Sequence, residues 1–117
     1  MTDAATQPTI FARIVRGEVP CNKVYEDETC LAFHDVSPVA PVHVLVIPKA
    51  PVESLGHIDG SHEAMLGHLL MKAGEIGQQL CPDGFRVVAN TGSDGGQTVA
   101  HLHLHILGGR AMGWPPG

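Results

Sequence analysis

The chain has 117 residues, 44% of them hydrophobic, with a formal net charge of -5 at pH 7. That is one ordinary domain, long enough to bury a core without disulfides or a structural metal, and too apolar to be disordered. The acidic balance and the scattered Lys and Arg argue against partners that need a basic face, namely nucleic acid and anionic membrane surfaces.

Residues 1–8 read as a loose polar lead-in, and residues 9–117 as a single domain. The N-terminus lacks a charged-then-apolar secretory pattern. No apolar run approaches the ~20 residues that span a bilayer. Cys21, Cys30 and Cys81 are odd in number and far apart, so neither a disulfide framework nor a CxxC pair is expected. Together these features point to a cytoplasmic or similarly reducing location.

A short helix is expected from Thr9 to Gly17. Thr9 is suited to cap it, Ile10, Phe11 and Ile14 face inward, and Gly17 stops it. Val24–Glu26 and Cys30–His34 read as two short strands joined by Asp27-Glu28-Thr29. Ser37-Pro38 and Ala40-Pro41 punctuate a loop. Val42–Ile47 is the clearest strand by β-branched content, ended by Pro48. One helical turn is expected near Glu53–Leu55.

A long helix should run from Ser61 to Leu80. Met65, Leu69, Ala73, Ile76 and Leu80 recur at spacings of three and four, with Ser61 as the expected cap. Pro82-Asp83-Gly84 turns the chain. Phe85–Ala89 reads as a strand, Asn90–Thr98 as a glycine-rich loop and Val99–Leu107 as the last strand. Residues 110–117 form a tail. Links between strands are too short for most parallel crossovers. The expected fold is therefore α+β: a mainly antiparallel sheet of about five strands with one long and one short helix.

The strongest chemical signal is His101-Leu102-His103-Leu104-His105-Ile106-Leu107. On a strand, alternate side chains share a face. The three histidines then lie together, with Leu102, Leu104 and Ile106 on the opposite face under the long helix. Three adjacent imidazoles need many partners if buried, so a histidine face open to solvent or to a ligand is expected. A solvated face alone would favour Lys, Glu or Thr. Two histidines at i and i+2 can also share a zinc ion, with His43 or Asp94 as a third ligand. A third reading is phosphoryl or nucleotidyl transfer, with one imidazole attacking phosphorus.

The preceding loop, Asn90 to Thr98, bears on that choice. Its glycines let backbone N–H groups converge on an anion, and Gln97 and Thr98 add side-chain donors. It is not a P-loop, because it lacks Gly-Lys-Ser/Thr and a strand follows it. Anion donors beside nucleophilic imidazoles make a phosphate site more coherent than a metal site. Asp35, before Val-Ser-Pro, is on its own a turn residue. Phe11 and Phe33 are on their own core residues. His34, His57, His62 and His68 read as surface or packing residues.

His101–Leu107 matches the His-x-His-x-His-hydrophobic-hydrophobic motif of the histidine triad (HIT) family. Ile10-Phe11, Leu31–Asp35, Val46–Lys49, Gly92–Gln97 and Trp114–Gly117 resemble its nucleoside phosphoramidase branch, the histidine triad nucleotide-binding proteins. The resemblance runs from about residue 9 to the end.

The resemblance implies a homodimer that hydrolyses AMP–amine conjugates, with no cofactor or metal. AMP or GMP conjugates are the implied purine nucleotide substrates. His103 would be the nucleophile that forms a nucleotidyl-histidine intermediate, and His101 would orient it. His105 would bond the phosphate or the leaving group, and His43 would complete the cluster. Asp35 would hold the ribose hydroxyls. Phe11, Phe33 and Val36 would shape the base pocket, and Asn90, Gly96, Gln97 and Thr98 would line the phosphate end. Trp114 would sit near the partner subunit's site. Dinucleoside polyphosphate hydrolysis and a nucleotide-binding regulatory or scaffold role are the alternatives. Thr98 stands where many members have serine, and Ala100 where many have an aromatic. Some relatives carry a cysteine zinc site, which no CxxC supports here.

Overall fold

The structure is a computed structural model and describes residues 8–117. Most of the expected lead-in therefore lies outside the described residues. Helix α1 spans Ile10–Val15. Strands β1 (Lys23–Glu26), β2 (Cys30–His34) and β3 (Val42–Pro48) follow. Two 3-10 turns, Leu55–His57 and Gly60–His62, lead into helix α2, Glu63–Leu80. Strands β4 (Phe85–Val88) and β5 (Leu104–Gly108) complete one five-stranded sheet in the order β1-β2-β3-β5-β4. Every pairing is antiparallel. The expected α+β class and strand count hold.

Alternation along β3 builds two cores. Val44 and Val46 pack with Cys30, Ala32, Leu102, Leu104 and Ile106 against Leu69, Ala73 and Ile76 of α2. Leu45 and Ile47 face the other way, packing with Leu31 and Phe33 against Phe11 of α1. The sheet thus carries the long helix on one face and the short helix on the other.

Local chemistry explains the helix ends. Thr9 Oγ1 accepts from the Ala12 N–H at 3.0 Å, as the capping pattern requires. Gly17 follows α1 at φ +78°, a left-handed conformation that suits glycine. The start of α2 differs from expectation. Asp59, not Ser61, is the capping residue, and it caps the 3-10 turn that precedes the helix. Its carboxylate accepts the Ser61 N–H at 2.8 Å. His62 Nδ1 in turn accepts the Asp59 N–H at 3.0 Å. This is a capping box closed by a histidine in place of the usual Glu or Gln.

The last strand also begins later than expected, at Leu104 instead of Val99. Its ladder with β3 stops at Val46↔Leu104. Pro48 has no N–H to extend the ladder, and its carbonyl accepts from a side chain, His101 Nε2, at 2.8 Å. The segment 101–103 is tied down by Leu102 N–H donating to the Val52 carbonyl at 2.7 Å.

Close packing joins α2 to the edge of the sheet. A Cβ added at Gly77 would lie 2.5 Å from the Phe85 ring, whereas one at Gly67 would meet open space. Gly77→Ala should therefore destabilise the protein by about 1–3 kcal/mol through overpacking. Gly67→Ala on the same helix should stabilise it by up to about 1 kcal/mol. Urea unfolding of both variants checks this; equal shifts would contradict the packing assigned to Gly77.

Candidate active site

The histidines lie on the α1 face of the sheet. His105 pairs with Leu45 and His43 with Leu107 across β3 and β5, so the two rings are diagonal neighbours. His43 Nε2 and His105 Nδ1 are 2.9 Å apart. His103 stacks edge-on to His105, with centroids 4.9 Å apart. The Phe11 ring covers His103 edge-on at 5.0 Å. The histidine face is closed to bulk solvent, with His43, His101 and His103 each no more than 5% exposed, while His103 and His105 border a cavity. Burial is tolerated because the rings find partners on the backbone and on one another. Among the described residues no buried side-chain nitrogen or oxygen lacks a hydrogen bond.

Those partners set the tautomers. The Val39 N–H donates to His43 Nδ1 at 3.1 Å. A neutral His43 must then carry its hydrogen on Nε2, which points at His105 Nδ1. That leaves the hydrogen of a neutral His105 on its own Nε2. His103 Nδ1 lies 2.7 Å from the carbonyl of His101 and must donate to it. In the neutral ring Nε2 is then free of hydrogen. His101 Nε2 donates to the Pro48 carbonyl. Backbone groups thus fix His43, His101 and His103 directly, and His105 through His43.

Burial disfavours the charged forms. His105 is lowered to about 4, first by burial and then by repulsion from His103 and His43, against a smaller opposing pull from Asp35. Burial also lowers His43, opposed by Asp35. His101 is lowered by burial and by His103, opposed by its bond to Pro48.

Asp35 holds a turn and reaches the histidines. One oxygen accepts the Ser37 N–H at 2.8 Å and holds the turn. The other lies 3.4 Å from His43 Nε2. The donor atoms of Asp35, His43 and His105 fall within 4.8 Å of one another, close enough to consider one metal ion. Asp94 is not part of this group. To bind metal through Nε2, His43 would have to move its hydrogen to Nδ1, where the Val39 N–H already points. The resident hydrogen-bond pattern opposes a metal there.

A cavity of about 430 Å³ opens beside the rings. Phe11, Phe33, Asp35, Val36, Thr98, His103 and His105 all line it. The sequence did not single out Val19, Pro20 and Leu45, which also contribute to its wall. Among the described lining residues Asp35 carries the one formal charge, and none is Lys or Arg.

Asn90, Gly96 and Gln97 lie in the loop and not in the cavity wall. Asn90 Nδ2 donates to the Gly95 carbonyl at 2.7 Å. Gln97 Nε2 donates to the carbonyls of Glu53 and Val99, and Gln97 Oε1 accepts the Gly92 N–H. The Gln97 amide, expected to offer donors to a ligand, is engaged in shaping the loop. Trp114 is 84% exposed. Among the histidines set aside, His57 bridges Ser54 and Glu53, and His68 reaches Asp27 on the far face of the sheet.

The HIT domain model matches residues 16–112. The chain belongs to the HIT family. It is 54% identical over 113 residues to a HIT-like protein of Synechococcus elongatus, covering 96% of this chain and 99% of the relative. A HIT-like protein of Synechocystis is 56% identical over 112 residues, 95% of this chain and 98% of the relative. Among solved structures, a HIT family hydrolase from Legionella pneumophila superposes with TM-score 0.90 at 42% identity, over 92% of this chain and 98% of that one. A histidine triad nucleotide-binding protein from Candida albicans gives TM-score 0.78 at 30% identity, over 92% and 82%. The five-stranded sheet with its long helix is the HIT fold.

The lowered histidines give a pH signature. Their folded values lie below the ordinary 6.5, so between about 4 and 6.5 the unfolded chain binds more protons than the folded one. Stability should therefore fall as pH drops through that window, and should be fully recovered above it. His105→Asn should flatten this slope in thermal melts recorded from pH 7 to pH 4. An unchanged slope would contradict the buried, neutral state of His105.

Proposed function

We propose that this HIT protein is a purine nucleoside phosphoramidase, hydrolysing AMP–amine conjugates to AMP through a nucleotidyl-His103 intermediate. The observation that carries this reading is the bond from His103 Nδ1 to the His101 carbonyl. It commits the single hydrogen of the neutral ring to Nδ1, which leaves Nε2 bare beside the cavity, the form a nucleophile needs. In the first displacement His103 Nε2 bonds to phosphorus as the P–N bond breaks, and the leaving amine takes a proton from water relayed through the Thr98 hydroxyl, while His105 Nε2 donates a hydrogen bond to a phosphate oxygen. In the second, the hydroxide so formed bonds to phosphorus as the P–His103 bond breaks, which restores the free imidazole. His101 positions the nucleophile through its carbonyl, and His43 keeps the His105 hydrogen on the outer nitrogen.

The rest of the ligand follows from the cavity. Phe11, Phe33 and Val36 offer an apolar slot for a purine, and Asp35 can accept the ribose hydroxyls. Thr98 can donate to the phosphate or to the leaving group. Asn90, Gly96 and Gln97 act by shaping the loop that delivers the chain to Thr98 and the histidines. The absence of Lys and Arg from the described lining favours a single phosphate with an amine leaving group. A polyphosphate substrate would call for cations.

We further propose a homodimer in the cytoplasm. Strand β4 is an open edge of the sheet. Leu70 and Met71 on α2 are exposed large apolar side chains, as is Trp114 in the tail. Cys21, Cys30 and Cys81 are free thiols, which suits a reducing compartment.

The test is hydrolysis of adenosine 5'-phosphoramidate with chelator present throughout. Wild type should turn over, and His103→Ala should lose at least about 10³-fold in kcat while still binding AMP. Quenching in alkaline denaturant with labelled substrate should trap a phosphorus–histidine adduct in the wild type alone. Turnover surviving His103→Ala would overturn the assignment of the nucleophile.

A further inference from the structure

The opposite face of the sheet holds a second cluster that the proposed reaction does not use. Asp27, in the turn between β1 and β2, is surrounded by donors. Its Oδ1 accepts the N–H groups of Thr29 and Cys30, each at 2.8 Å. Its Oδ2 accepts the Tyr25 hydroxyl at 2.8 Å and lies 2.6 Å from His68 Nε2 on α2. The Cys30 thiol, fully buried, points at the same carboxylate. Donor atoms of Asp27, Cys30 and His68 all fall within 4.8 Å of one another.

Burial alone would raise the Asp27 carboxyl. The bonds from Cys30, His68, Tyr25 and Thr29 outweigh it and hold the group well below the usual carboxylate range. Cys30 shares its face with Ala32, Val44 and Val46 under α2, whereas His103 lies under Phe11 on the other face.

We propose that Asp27, Cys30 and His68 form a second, non-catalytic site for one thiophilic divalent cation of the zinc class. One oxygen, one sulfur and one imidazole nitrogen are the donor types zinc takes, and Tyr25 or a water completes four. Charge balances as well. A dication with the Asp27 carboxylate, the Cys30 thiolate and a neutral imidazole makes a neutral cluster, the thiol proton leaving as the ion binds. The backbone already aims the carboxylate, since both bonds to Oδ1 come from main-chain N–H groups.

The His68–Asp27 contact must open, because tetrahedral bonds of the usual lengths put nitrogen and oxygen roughly 3.3 Å apart. The His68 side chain is 36% exposed, which gives it room to swing and gives the ion an entry path. Ligands from the β1–β2 turn, from β2 and from α2 make such an ion a clasp between helix and sheet.

The experiment is a cobalt titration of the full chain, stripped with chelator and kept reduced. One equivalent should bring up a thiolate-to-cobalt charge-transfer band with tetrahedral visible bands, and zinc should displace it. Cys30→Ala should abolish the band, and His68→Gln should weaken affinity at least about tenfold. Cys21→Ala with Cys81→Ala, and separately His105→Asn, should leave it intact, which separates this cluster from the other thiols and from the catalytic histidines. His68→Gln and the Cys21/Cys81 pair keep the test decisive should Cys30→Ala not fold. No charge-transfer band, a band that survives Cys30→Ala, an undiminished affinity in His68→Gln, or loss of the band in the Cys21/Cys81 pair would each overturn the proposal.

Discussion

The carbonyl of His101 accepts a hydrogen from the ring two residues further along its own chain, His103. A carbonyl cannot change its role, so the ring must present a donor at Nδ1, and the neutral ring then has its lone pair at Nε2. The same logic runs through the site. The Val39 N–H can only donate and the Pro48 carbonyl can only accept, so His43 and His101 are fixed in their turn. The cavity beside the rings is useful because these backbone groups have already decided which ring atom faces it with a lone pair. Protonation would break this order, and burial disfavours it at His43, His101 and His105.

Much of this was legible in the residues, because it depends on period and local chemistry. Alternation from Leu102 to Ile106 placed one set under α2 and the histidines opposite. The long helix was readable from Leu69, Ala73 and Ile76, and α1 from Thr9 and Gly17. Other features depend on groups distant in sequence and carry no local signal. The true start of β5 is set by the missing N–H of Pro48 on another strand. The cover over His103 comes from Phe11 in α1. The fate of the Gln97 amide is decided by the carbonyl of Glu53. The cap of α2 was misplaced because a histidine closes the box at Asp59, outside the usual Glu or Gln pattern.

The two faces of the sheet divide the polar chemistry between them. The α1 face carries rings whose hydrogens are assigned one by one, in a cavity whose described lining contains a single charge. The α2 face carries Asp27, a carboxylate saturated with donors and joined to a helix through His68. Strand β3, buried along nearly its whole length, separates them. Each cluster can then be tuned without passing through the other.

Pro48 has one further consequence. Because it ends the ladder, the segment from His101 to His103 belongs to the site but not to the sheet. It is tied by the Leu102 amide to Val52 and by one ring to the Pro48 carbonyl. Its anchorage is otherwise side-chain burial, with Leu102 in the core under α2 and His101 and His103 almost fully covered, so a change in that core would reach the site without passing through a ladder.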